Sequence, residues 1–138
     1  MEDSEQLLEA TRYSGLHQGQ TFEVRLVQRV PGLCMVFTGP VPAALPTATM
    51  SAIQKALHSQ PGLRGYADLS ACTYLGSGAI ACLMEFLRLV SSRVPGAVPL
   101  VNPHPRAMTV LRMLGLSNFF VTQPDDAAVA KWFSEQQR

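Results

Sequence analysis

The segment 77–94 constrains the fold more than any other part of the chain. Ile80, Leu83, Met84, Leu87, Val90 and Val94 recur at helical spacing, with Glu85, Arg88 and Ser92 on a polar side. Pro95-Gly96 ends the run. A short apolar stretch lies on either side of it, 64–69 before and 97–101 after. Strand, helix and strand in that order form a right-handed crossover between parallel strands, which commits the chain to an α/β sheet.

The flanking segments extend this unit. Over 21–27, Phe22, Val24 and Leu26 alternate with Glu23 and Arg25, the period of a half-buried strand. Residues 33–38 are apolar on both faces, as a central strand requires, and Pro31-Gly32 suits the middle of a type II turn between the two. Three prolines in 39–46 read as a loop, and Thr47 is placed to cap a helix with Met50, Ile53 and Leu57 on its apolar face. Asp68 falls near the end of the strand over 64–69. Pro103 and Pro105 bracket a turn before a helix over 106–114. Gly115 provides the left-handed position at its end, and Leu116 folds back onto it. A last strand is expected over 119–122. Asp125 and Asp126 favour the start of a final helix that turns Val129, Trp132 and Phe133 inward.

The predicted order is β-β-α-β-α-β-α-β-α: one α/β domain over 20–138, with a mixed four- to five-stranded sheet and helices mainly on one face. A chain of 138 residues accommodates one such domain and no second. Residues 1–19 are set apart as an acidic arm, because Glu2, Asp3, Glu5 and Glu9 crowd the first nine residues, where no Lys or Arg occurs. A solvated tail or a short surface helix is the expectation there.

Charge argues against several functions. Net charge is +1 and the basic residues are scattered singly, so nucleic acid is not an expected partner. Charged residues make up only 15% of the chain, which implies extensive burial or apolar surface kept for a partner. No apolar run reaches bilayer length and no signal pattern opens the sequence, so a cytoplasmic protein without direct membrane insertion is expected. Cys34, Cys72 and Cys82 are odd in number and sit among apolar neighbours, as buried free thiols do.

Catalytic machinery is not legible. Gly76-Ser77-Gly78 lacks the glycines two residues either side of the serine that a nucleophile elbow needs, since Leu75 and Ala79 stand there. His17, His58 and His104 have no acid at a useful spacing. No metal-ligand spacing and no phosphate-binding glycine loop is present. The expectation is a binding protein, not an enzyme, with no cofactor.

The join between the third strand and the 77–94 helix reads Asp68-Leu69-Ser70-Ala71-Cys72-Thr73-Tyr74-Leu75-Gly76-Ser77-Gly78-Ala79-Ile80-Ala81-Cys82-Leu83. It resembles the signature of STAS domains, in which a DLS strand leads to D-S-S/T/A-G-L-G and a helix. Residues 105–119, with Val110, Leu111, Leu114, Gly115 and Leu116, are similar to that family's late L-x-x-x-GL-x-x-x-F segment. The resemblance spans roughly residues 20–136. In ungapped register, Gly76 stands at the family's Asp, Ser77 at its phosphorylatable Ser, Gly78 at the next residue and Ala79 at its Gly.

The resemblance implies an anti-sigma-factor antagonist that binds a serine-kinase/ATPase-fold anti-sigma factor and is switched off by phosphorylation. Ser77 is then the phosphorylation candidate, with plain helix capping as the alternative role. Gly76, Ser77, Gly78, Cys82, Phe86 and Leu89 are the partner-binding candidates. The strip Cys82, Phe86 and Leu89 is read as a second apolar side of the helix, either packed against the preceding helix or offered to the partner. A different class of function is a non-phosphorylated STAS scaffold or accessory subunit, in a signalling assembly or on a lipid-transporter ATPase.

Overall fold

The computed structural model describes residues 5–7, 13–29, 32–41, 51, 54, 55, 58, 64–91 and 97–136. In chain order the strands are β1 (Glu5–Leu7), β2 (Tyr13–His17), β3 (Gln20–Arg29), β4 (Gly32–Val41), β5 (Gly65–Leu75), β6 (Val98–Val101) and β7 (Phe120–Gln123). The helices are α1 (Ser77–Ser91) between β5 and β6, α2 (Pro105–Met113) after β6, and α3 (Asp126–Gln136) after β7. A 3-10 turn, Ser117–Phe119, leads into β7. The fold is α/β with one mixed sheet.

β3 and β4 form the expected antiparallel hairpin, and β4, β5, β6 and β7 run parallel to one another. Among the described residues the sheet has seven strands, not four or five. The additional ones come from the amino-terminal residues. β1 pairs with the Val27–Arg29 end of β3 and β2 with its Gln20–Val24 end, so the two short strands share one edge of β3. The boundary expected between 19 and 20 therefore falls inside a hairpin. Gln18 and Gly19 both have positive φ, 51° and 79°, as a two-residue type I′ turn requires. A β2 of mixed polarity carries little strand signal of its own; its hydrogen bonds to β3 decide its conformation.

Alternation sorts the core into two layers. Phe22, Val24 and Leu26 of β3 with Leu33, Met35 and Phe37 of β4 face α1 and α2, whose Ile80, Leu83 and Leu111 close that layer. Val27, Cys34, Val36, Tyr66 and Val101 face the opposite way, beneath Val129 and Phe133 of α3. Two of the described helices thus cover one face and the third covers the other.

Three expected boundaries are corrected. Gly32 already belongs to β4, paired with Arg29 of β3, and so does not sit at the middle of a turn. Glycine is needed at 32 for closeness: a Cβ there would stand 2.3 Å from the carbonyl oxygen of Arg64. Residues 39–41 continue β4 instead of opening a loop. β5 runs on to Leu75, past the expected end at Leu69.

The extension of β5 contains two irregularities. Between Asp68 and Ala71, and again between Cys72 and Tyr74, β5 uses one residue more than β4. The buried positions of β5 accordingly fall at Leu69, Cys72 and Leu75, three apart instead of two. At the first bulge the Asp68 carboxylate accepts the Ser70 N–H at 3.0 Å and also the Ser70 hydroxyl. Asp68-Leu69-Ser70 is thus a local turn that diverts the strand.

The expected ends of α2 and α3 hold. The N–H groups of Gly115 and Leu116 donate to Arg112 and Leu111 at 3.0 and 2.8 Å, and Gly115 has φ 75°, a Schellman closure. Asp125 caps α3 by accepting the Ala128 N–H at 2.9 Å. The helix expected from Thr47 lies outside the described residues, apart from Ser51, Gln54, Lys55 and His58, which are helical and exposed.

Candidate functional site

The parallel strands β4, β5 and β6 end at Val41, Leu75 and Val101, on one edge of the sheet. Ligand and partner sites of open α/β sheets gather at this carboxyl edge, where chain turns from strand to helix. Here the turn is minimal: Gly76 alone separates β5 from α1. Its N–H donates to the carbonyl of Val41 at 2.7 Å, and its carbonyl accepts the Ile80 N–H at 2.9 Å.

Those two bonds settle the start of α1. The first intrahelical bond ends on Gly76, so Gly76 is the N-cap and Ser77 and Gly78 are the first two helical residues. Ser77 was expected either to cap or to accept phosphate; the capping position belongs to its neighbour. The N–H groups ahead of Ile80 point out of the helix end, where the dipole favours an anion. The first turn of α1 contains no acidic residue.

Phe86 is a correction. Its exposure is 0%, and it sits in the main core with Ala79, Ile80 and Leu83. Three residues beyond Leu83, a side chain is displaced by only about 60° around a helix, so the two share a face. Phe86 is therefore core, not contact surface. Cys82 and Leu89 lie on α1, and their side chains fall outside the described residues. Glu85 and Arg88 pair on the outer side, where Arg88 holds the Glu85 carboxyl below its ordinary pKa.

Beside the Gly76 turn a groove of about 450 Å³ opens between the Cys72–Leu75 end of β5 and the first half of α2. The irregular strand shapes one wall: Cys72 and Leu75 point into the core, while Tyr74 is 54% exposed. The His17 ring of β2 stacks on Tyr74, centroids 6.1 Å apart and nearly parallel. Burial pushes the Cys72 thiol pKa up, with backbone bonds involving Tyr74 and Val41 opposing it more weakly. Cys34 is buried on the other layer; the Cys82 thiol is outside the described residues. The opposite wall is α2, where His104 caps the helix by accepting the Arg106 N–H on Nδ1 at 3.0 Å.

Val110 at the rim of the groove and Met113, Leu114 and Phe119 beyond it are exposed, Met113 by 80%. Inward Ala107 and Leu111 alternate with outward Val110 and Met113 at helical spacing, a pattern present in the sequence between 106 and 114. Among the described residues no helix is long and apolar enough to cross a membrane. No family model and no curated protein matches the chain.

Proposed function

We propose that this chain is a regulatory protein-binding module of the STAS, anti-sigma-factor-antagonist kind, which engages a serine-kinase/ATPase-fold partner through the β5–α1 turn. The carrying observation is the position of Ser77. It is the first residue of α1 at the carboxyl edge of the parallel strands, and the capping role belongs to Gly76. Phosphorylation adds about −1.5 to −2 charges at a helix end whose dipole tolerates them. Control then comes from charge and bulk at the contact surface, with the fold unchanged. The exposed apolar residues of α2 and Tyr74 supply the kind of surface a partner covers.

The test is intact-mass analysis after incubation with ATP and an anti-sigma-type serine kinase from the same genome. One added phosphate, lost in Ser77→Ala, is expected. Ser77→Asp should fold normally and bind that kinase more weakly, and Ser77→Ala should bind it under phosphorylating conditions. Absence of phosphate, or its addition at another residue, overturns the switch. A partner that binds the chain and never transfers phosphate to it favours the scaffold or accessory-subunit reading, which is supported by Gly76 standing where the family carries an acid.

A further inference from the structure

The groove beside α2 has chemistry of its own. Its floor is made of core residues, Cys72, Leu75 and Ala107, which are 6%, 7% and 8% exposed, so it reaches the main hydrophobic layer. Tyr74 and Val110 form its outer walls. Its volume, about 450 Å³, lies in the range of small-molecule pockets, roughly 300–1,000 Å³. Among the described residues that line it there is no carboxylate, and Arg106 contributes a permanent positive charge. Arg106 also lies in the first turn of α2, where the helix dipole adds to its field.

We infer that this groove binds a free single-chain amphiphile with an anionic head, of the fatty-carboxylate class. The alkyl chain lies on Cys72, Leu75 and Ala107 between Tyr74 and Val110, and the carboxylate meets the Arg106 guanidinium at the mouth. Apolar depth without polar partners suits methylene groups. Arg106, with no carboxylate among the described residues that line the groove, selects an anion over a neutral or cationic head. The site stands whether or not Ser77 is modified, because Arg106, Ala107 and Val110 belong to α2 and not to the β5–α1 turn.

Decanoate and 1-decanol, each kept below the concentration at which it aggregates, should be titrated into the full chain and followed by amide chemical shifts. Decanoate is expected to move the amides of Thr73, Leu75, Ala107 and Val110. Each methylene removed from the chain should weaken binding by up to about fourfold. Arg106→Gln should weaken decanoate by about tenfold and leave decanol unchanged. Val110→Asp, at an exposed position that keeps the fold, should abolish both. Equal affinity for decanol and decanoate in the unaltered chain, shifts centred on Met113, Leu114 and Phe119, or no binding of either probe would each overturn the assignment.

Discussion

Gly39 lies so close to Thr21 that a Cβ on the glycine would stand 2.3 Å from the threonine carbonyl oxygen. The same glycine has φ 74°, between the two places where β4 and β5 change register. Two independent constraints therefore meet at one residue. Gly19, at φ 79°, has only the backbone constraint, since nothing lies within 4 Å of its would-be Cβ. Gly19→Ala should cost about 1 kcal/mol. Gly39→Ala should cost about 3 kcal/mol, strain and overlap together. Urea denaturation of both variants checks the difference, and equal losses would contradict the close approach.

Phe86 offers a test of which side of α1 faces inward. Phe86→Ala should destabilise the fold by about 3–5 kcal/mol, as removal of a fully buried ring does. A substitution at an exposed contact surface would leave the denaturation midpoint near its original value. Guanidinium unfolding decides between the two.

α3 is fastened to its layer by polar as well as apolar contacts. Tyr66 donates its hydroxyl to the Asp126 carboxylate at 3.1 Å, across 60 residues of sequence, and the Tyr66 ring meets Phe133 edge-on. Tyr66→Phe should cost about 1 kcal/mol, and Asp125→Ala, which removes the α3 cap, about the same. The two variants act on one helix end, so the double variant should depart from additivity when assayed by thermal unfolding.

The Cys72 thiol should react slowly. Its pKa is raised by burial, so in the folded chain the thiolate forms only at higher pH than in an unfolded one. The folded state holds the proton more tightly, so this contribution to stability is complete below the unfolded thiol pKa. It declines as pH rises through the alkaline range towards the folded pKa. Iodoacetamide labelling, resolved to the residue by tandem mass spectrometry, should show a Cys72 rate profile displaced to higher pH. Labelling of Cys72 as fast as a free thiol at pH 8 would contradict its burial.

The contrast between β3 and β5 shows where the sequence was readable. β3 places Phe22, Val24 and Leu26 on one side with strict alternation, and the strand was recognisable from that alone. The α2 terminus at Gly115 and the Asp125 start of α3 were equally plain, because caps depend on a few neighbouring residues. β5 hid its second half: after Leu69 the inward residues come every third position, a spacing that belongs to no regular strand. β1 and β2 were invisible for another reason, since an edge strand of mixed polarity is held by its neighbour's hydrogen bonds. Of the candidate site, the strand-to-helix turn at Gly76–Ser77 could be read locally. The groove could not, because Cys72 and Ala107 meet only through packing.

The paired irregularities in β5 act as a phase correction. One bulge exchanges the inward and outward sides of a strand; the second exchanges them back. Leu75 thereby returns to the interior just before the chain enters α1, and Tyr74 is turned out onto the groove wall. A lone insertion or deletion between 69 and 75 that left both bulges in place would swap these two roles, burying the phenol and exposing the leucine. A compensated pair of changes would preserve them. The length of this stretch is thus counted in twos, and the orientation of everything downstream at the sheet edge depends on that parity.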